Sequence, residues 1–171
     1  MQPDDLTWVG LGGEHVPALQ GFTCADPPRA SWDRLRRDHV HPRPWELAVQ
    51  SSIRGLRPPL PPEENALLAF SGDALAGVSR VSWTDGGEQL LVMSIARDVR
   101  FRGAGLGIVL LRQTLDVLRT VRDEAGIGCG AFARVDHRNE PSRRMFELAG
   151  FVYLENDFEE PNLEYWVHDL L

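Results

Sequence analysis

The chain has 171 residues, 18 basic and 25 acidic, for a net charge of −7, and its size suits one domain of roughly 150 residues. With 43% hydrophobic and 25% charged residues it has an ordinary globular composition, and no apolar run is long enough to cross a bilayer. All 18 basic residues are arginine, which excludes a Walker-type phosphate loop, a kinase-type phosphate-anchoring lysine and a Schiff-base lysine.

The opening residues, Met-Gln-Pro-Asp-Asp, offer neither a basic nor an apolar leader segment, so the expected setting is cytoplasmic, with Cys24 and Cys129 as free thiols. The acidic balance argues against nucleic acid as a general partner. Eight of the 12 prolines fall between Pro27 and Pro62, leaving room for one helix, Trp45 to Leu56, with Pro44 in its first turn. Beyond Pro62 the pattern turns strand-like. Residues 66–70, the turn Ser71-Gly72-Asp73 and residues 74–83 read as a hairpin, and Asp85-Gly86-Gly87 reverses the chain again. Residues 89–97 form a near-continuous apolar strand, expected to be covered on both faces. A glycine-rich turn follows, then a long helix whose Leu111, Leu115, Leu118 and Val121 make one apolar stripe. Gly126 to Gly130 stops it. Residues 131–136 read as a strand, 141–149 as a short helix, and 151–155 and 164–167 as closing strands. This order predicts an α+β domain with a mixed sheet.

The chemically informative stretch is Arg102-Gly-Ala-Gly-Leu-Gly107, which leaves a strand and opens a helix. Its three alternate glycines let the backbone approach a ligand closely and turn its N–H groups to one side. The helix N-terminus adds the positive end of its dipole and Arg102 a fixed charge, a combination suited to a pyrophosphate. The spacing is not the Gly-x-Gly-x-x-Gly of dinucleotide-binding folds.

These residues resemble the GCN5-related N-acetyltransferases (GNAT). Arg102, Gly105 and Gly107 match the family's Arg/Gln-x-x-Gly-x-Gly/Ala signature after a fitting strand, and Asn139, Ser142, Met145-Phe146 and Gly150-Phe151 are similar to its second motif. The resemblance covers about residues 66–155. It implies a GNAT-like acyl-CoA N-acyltransferase fold, α+β, with helices on both faces of a mixed central sheet. The expected organisation is one domain, with a substrate-side segment 1–62, an acetyl-CoA-binding core 66–155 and a closing strand in 156–171. By resemblance the Ile95, Ala96 and Arg97 backbone pairs with pantetheine. The turn Arg102, Gly103, Ala104, Gly105, Leu106 and Gly107 holds the pyrophosphate, and Asn139, with Ser142 in the same motif, fixes the pantetheine arm. A homodimer is a further family-level expectation.

A physical reading agrees. Two parallel strands that part company leave unpaired backbone groups, which an amide-bearing pantetheine satisfies like an added strand. A strand N–H near Arg97 would then stabilise the oxyanion as an amine attacks the thioester, and the amine must lose a proton to a base or a water chain. At this chemistry the sequence departs from its relatives. Phe146 stands where many carry a general-acid tyrosine, Arg134 where some peptide N-terminal acetylases carry glutamate, and residues 90–93 where histone acetylases carry theirs. The candidate replacement bases are Glu88, Asp136 and His137. Tyr153 and Tyr165 are the only tyrosines.

The expected activity is acetyl transfer from acetyl-CoA to a primary amine in a ternary complex. Two alternatives stay open. One is a toxin-like acetyltransferase of aminoacyl-tRNA, with Arg29, Arg34, Arg36, Arg37, Arg43, Arg54 and Arg57 on phosphates. The other is a CoA-binding sensor that has lost catalysis. His39-x-His41 lacks ligand-type partners and reads as loop, so no metal is expected. Trp32, Trp45 and Trp83 are candidate pocket walls or core. Residues 145–171 hold seven acids and no arginine, which suggests an acidic wall for a cationic small molecule or peptide acceptor.

Overall fold

The computed structural model describes residues 5–27, 41–84, 89–126 and 130–170. The elements are β1 (Leu6–Gly10), α1 (Val16–Gly21), α2 (Pro44–Gly55), β2 (Glu64–Ser71), β3 (Ala74–Trp83), β4 (Leu90–Arg97), α3 (Leu106–Ala125), β5 (Ala131–Asp136), α4 (Glu140–Leu148), β6 (Val152–Asn156) and β7 (Leu163–His168). Pro44 opens α2, where its missing N–H costs nothing, and Gly72 turns the β2–β3 hairpin with a φ of 57°. Gly126, at φ 67°, closes α3 by donating its N–H to the Arg122 carbonyl.

The strands form one sheet in the order β1-β2-β3-β4-β5-β7-β6. Every neighbouring pair is antiparallel except β4–β5, which is parallel. Helices cover both faces. On one, α1 and α2 bury Leu19 and Ile53 with Phe22 against Ala66, Leu68 and Val78. On the other, the α3 stripe Leu111, Leu115 and Leu118 and Phe146 of α4 pack on Val81, Leu90, Val92, Ala133 and Trp166. Each such leucine contributes roughly 1.5–3 kcal/mol through burial, which sets α3 firmly across the middle of the sheet.

Two expectations change. First, β1 and α1 extend the structure upstream of the region legible in the sequence; they are only 5 and 6 residues long, too short to show a period. Second, β4 is not covered on both faces. Met93 is 49% exposed, because β4 bulges there: Arg80 pairs with Ser94 and Val81 with Val92, leaving Met93 with no partner. The described helices on that face, α1 and α2, pack over the β2–β3 half of the sheet.

Candidate active site

The parallel pairing of β4 with β5 runs only from Leu90–Ala131 to Val92–Ala133, although β4 continues to Arg97 and β5 to Asp136. Past that point the facing edges of the two strands no longer pair. Antiparallel bonds from β3 hold the other edge of β4 through Arg97, so Ile95, Ala96 and Arg97 stand at the opening with that edge secured. Burial and the neighbouring charge of Arg102 lower the proton affinity of the Arg97 guanidinium.

Beyond β4, Asp98 organises the approach to α3. It is 1% exposed and accepts the backbone N–H groups of Thr23 at 3.2 Å and Arg100 at 3.0 Å, and Arg100 Nε at 2.7 Å. Burial pushes this carboxyl up, but the bonds from Arg100 and Thr23 outweigh it and hold it below the usual range. The turn then passes through Gly103 at φ 85° and Gly105 at φ 70°, left-handed values that favour glycine. A β-carbon at either position would meet no atom within 4 Å, so the space beside each glycine is open. Gly105 is the N-cap of α3, and no side chain caps the helix. The first N–H groups of α3 are thus left without a side-chain acceptor at the positive end of its dipole, an arrangement that fits a pyrophosphate. The Arg102 side chain pairs with carboxylates before and at the start of α2, Nη1 2.9 Å from Asp26 Oδ2 and Nη2 3.6 Å from Glu46 Oε1.

At the β5 end, Asn139 caps α4, its Oδ1 accepting the Ser142 N–H at 3.4 Å. Asp136 is bound by its neighbour two residues on. Arg138 Nε and Nη2 lie 2.9 and 2.6 Å from its two oxygens, and the Arg138 N–H adds a bond at 3.0 Å. These bonds hold the Asp136 carboxyl below the usual range against its burial, which makes it a weaker proton acceptor. His137 is exposed and its backbone N–H donates to the Asn162 carbonyl. Arg138 also stacks over Trp45, 5.1 Å from the ring centroid, which ties the start of α2 to the end of β5. Glu88 lies outside the described residues, as do Cys129, Trp32, His39, Arg29, Arg34, Arg36 and Arg37.

Arg134 is not a free cation. Its Nη2 lies 2.5 Å from Asp157 and 2.9 Å from Glu160, and its guanidinium stacks on Tyr165. Glu164 pairs with Arg143 at 3.0 Å. These pairings join residues 21 to 26 positions apart in the chain, so the charge count of the last segment could not show them. Trp83 lies away from the turn, in a shallow groove with Val117 and Val121 on the second half of α3. Among the described residues no His/Cys/Asp/Glu cluster could hold a metal ion, and no helix is long and apolar enough to cross a membrane.

A mixed sheet whose parallel pair opens beside an uncapped, glycine-entered helix defines an acyl-CoA-type transferase fold. The sequence model of the acetyltransferase (GNAT) family matches residues 29–151, most of the chain, and the chain belongs to that family. It is thus an acetyl-CoA-dependent N-acetyltransferase, with acetyl-CoA as co-substrate. No curated protein sequence matches it. Among solved structures it is similar to a nourseothricin acetyltransferase (16% identity, covering 98% of this chain and 99% of the other, TM-score 0.65). It is also similar to the ribosomal-protein-S18-alanine N-acetyltransferase from Escherichia coli (14% identity, 96% and 94% covered, TM-score 0.62). A third similar structure is the PaiA N-acetyltransferase from Thermoplasma acidophilum in complex with coenzyme A (14% identity, 96% and 98% covered, TM-score 0.65). At these identities the likeness is one of fold.

Proposed function

We propose that the protein transfers an acetyl group from acetyl-CoA directly to a primary amine in a ternary complex. The observation that carries this reading is the end of β4–β5 pairing at Val92–Ala133, beside the open turn at Gly103 and Gly105. Bound there, acetyl-CoA supplies an activated acetyl thioester. The chain's own part is to bind, orient and exclude water. Residues 102–107 would hold the pyrophosphate, the free edge of β4 from Ile95 to Arg97 would pair with the pantetheine amides, and Asn139 would face the same arm. The amine would approach from the α1–α2 face, where Met93 is exposed. Its proton would pass to His137 or to water in preference to Asp136, whose carboxylate is engaged by Arg138. The setting is read as cytoplasmic, where acetyl-CoA is available.

The acceptor is read as a cationic small molecule or peptide. Glu155 and Glu159 support this, since they are exposed and form no ion pair among the described residues. The fold itself does not choose, because it also carries the names nourseothricin acetyltransferase and ribosomal-protein alanine N-acetyltransferase. The tRNA alternative loses support in three arginines of its cluster. Arg54 donates to the Phe22 carbonyl and Thr23, Arg57 to the Arg54 and Leu56 carbonyls, and Arg43 to Glu46. A homodimer would have an available surface in the edge strand β6, all of whose residues are exposed.

Thiol release from acetyl-CoA across a panel of polyamines, aminosugars and peptide N-termini tests the reading. Turnover with at least one amine is expected. Tight CoA binding with no turnover on any of them would overturn it in favour of the sensor.

A further inference from the structure

Ser94 is the one residue of β4 whose side chain is both polar and buried, 9% exposed, and its Oγ has no hydrogen-bond partner among the described residues. A buried hydroxyl without a partner is destabilising, so its retention calls for a use. Its counterpart on the other face of the sheet is satisfied: the Ser79 and Thr114 hydroxyls bond each other at 2.8 Å. Ser94 has no such recourse. Its cross-strand neighbour Arg80 is held by Glu64, through Nε at 2.8 Å and Nη2 at 2.6 Å.

The position of this hydroxyl is specific. Ser94 pairs with Arg80, and Arg80 pairs with Ala66, which packs in the α1–α2 core; the hydroxyl therefore lies on that face. It follows the Met93 bulge and is the second residue past Val92, where β5 stops pairing. Arg134, on β5, is the first residue past Ala133 and lies on the same face, paired with Tyr165. Ser94 thus stands at the apex of the opening, on the side from which an acceptor would approach. Its Oγ is enclosed in this state. A serine side chain has a single torsion with three staggered wells, so one rotation re-aims the oxygen.

We infer that the Ser94 hydroxyl is the acceptor-positioning group of this site, accepting a hydrogen bond from the attacking amine. This rests on the transferase reading above. The nitrogen lone pair forms the C–N bond as the thioester C–S bond breaks and sulfur leaves with its electron pair. The proton lost by nitrogen passes to His137 or to water. A hydroxyl does not take that proton at neutral pH; its part is to direct the lone pair at the carbonyl carbon.

Two variants, Ser94→Ala and Ser94→Thr, test this by heat unfolding and by kinetics with acetyl-CoA and the amine that wild type turns over best. In the free protein Ser94→Ala should raise Tm by about 2–4 °C, because it removes an unpaired buried hydroxyl. It should also lower kcat/KM for the amine about tenfold while leaving the calorimetric CoA affinity unchanged, and Ser94→Thr should restore part of the rate. A lowered Tm in Ser94→Ala would reveal a structural partner and overturn the assignment. So would an unchanged kcat/KM for the amine. Wild type that turns over no amine in the panel would instead sink the transferase reading itself.

Discussion

Arg102 Nη1 lies 2.9 Å from Asp26 Oδ2, so a residue expected to hold pyrophosphate is tied to the segment that precedes α2. Glu46 completes the link, accepting the Asp26 N–H at 3.0 Å and lying 3.6 Å from Arg102 Nη2. The Asp26 and Arg102 side chains are partly exposed, and such a pair contributes only about 0–1 kcal/mol. A pyrophosphate and these carboxylates compete for one guanidinium. Asp26→Asn should therefore tighten CoA binding about two- to fivefold by calorimetry at constant ionic strength, an effect that should vanish in an Arg102→Ala background. Equal CoA affinity in wild type and Asp26→Asn would show that Arg102 is not shared.

Gly105 is the second test of the cofactor side. Its φ of 70° strains any residue with a β-carbon by roughly 1–2 kcal/mol, and that carbon would project into open space. The core beneath, Leu106 and Leu110 included, does not depend on that position. Gly105→Val should keep the circular dichroism of the folded chain and lose calorimetric CoA binding. A folded Gly105→Val protein with wild-type affinity would show that the pyrophosphate binds elsewhere.

What was legible in the sequence was what local physics enforces. The α3 stripe, the hairpin at Gly72 and the turn at Gly103 and Gly105 each announce themselves within a few residues, and the structure contains all three. What depends on contacts between distant residues was hidden. Nothing near Arg134 in the chain shows that Asp157 and Glu160 will neutralise it. The Met93 bulge was invisible for a related reason. Residues 90–96 alternate too little to reveal which face each side chain takes, so β4 reads as covered on both faces.

Asp98 should make the fold acid-sensitive. Its folded-state pKa is depressed, so its contribution is complete above the unfolded value of about 3.9 and is lost as pH falls through the folded value. Asp98→Asn replaces charge-assisted bonds to Arg100 and Thr23 and should cost about 1.5–3 kcal/mol near neutral pH. In urea unfolding the gap between variant and wild type should close as pH is lowered below 4. A gap independent of pH would mean that the carboxylate's charge is not what these bonds use.

Cys24 should be chemically silent while the chain is folded. Burial, with Glu46 nearby, pushes its thiol up to about 12, so almost no thiolate is present at pH 8. In a Cys129→Ser protein, a thiol-reactive dye at pH 8 should label Cys24 only on unfolding, at a rate that follows urea concentration. Rapid labelling of the native protein would show that the α1–α2 core opens locally.

The acidic wall is smaller than the charge count of residues 145–171 implies. Of its seven acids, Asp157 and Glu160 face Arg134 and Glu164 faces Arg143; of the other four, Glu155 and Glu159 lie exposed near the β6–β7 connection and form no ion pair among the described residues. Steering of a cationic acceptor by so few charges should be weak. Between 0.1 and 1 M salt the Debye length falls from about 10 to about 3 Å, and kcat/KM for the amine should fall only about two- to fivefold. Arg134→Gln uncovers Asp157 and Glu160, so the same change in salt should then produce a larger fall. Neutralising Glu155 and Glu159 together should remove most of the wild-type dependence. If kcat/KM is flat with salt in both wild type and Arg134→Gln, these acids serve to anchor the connection to β5, and the acceptor's charge is recognised elsewhere.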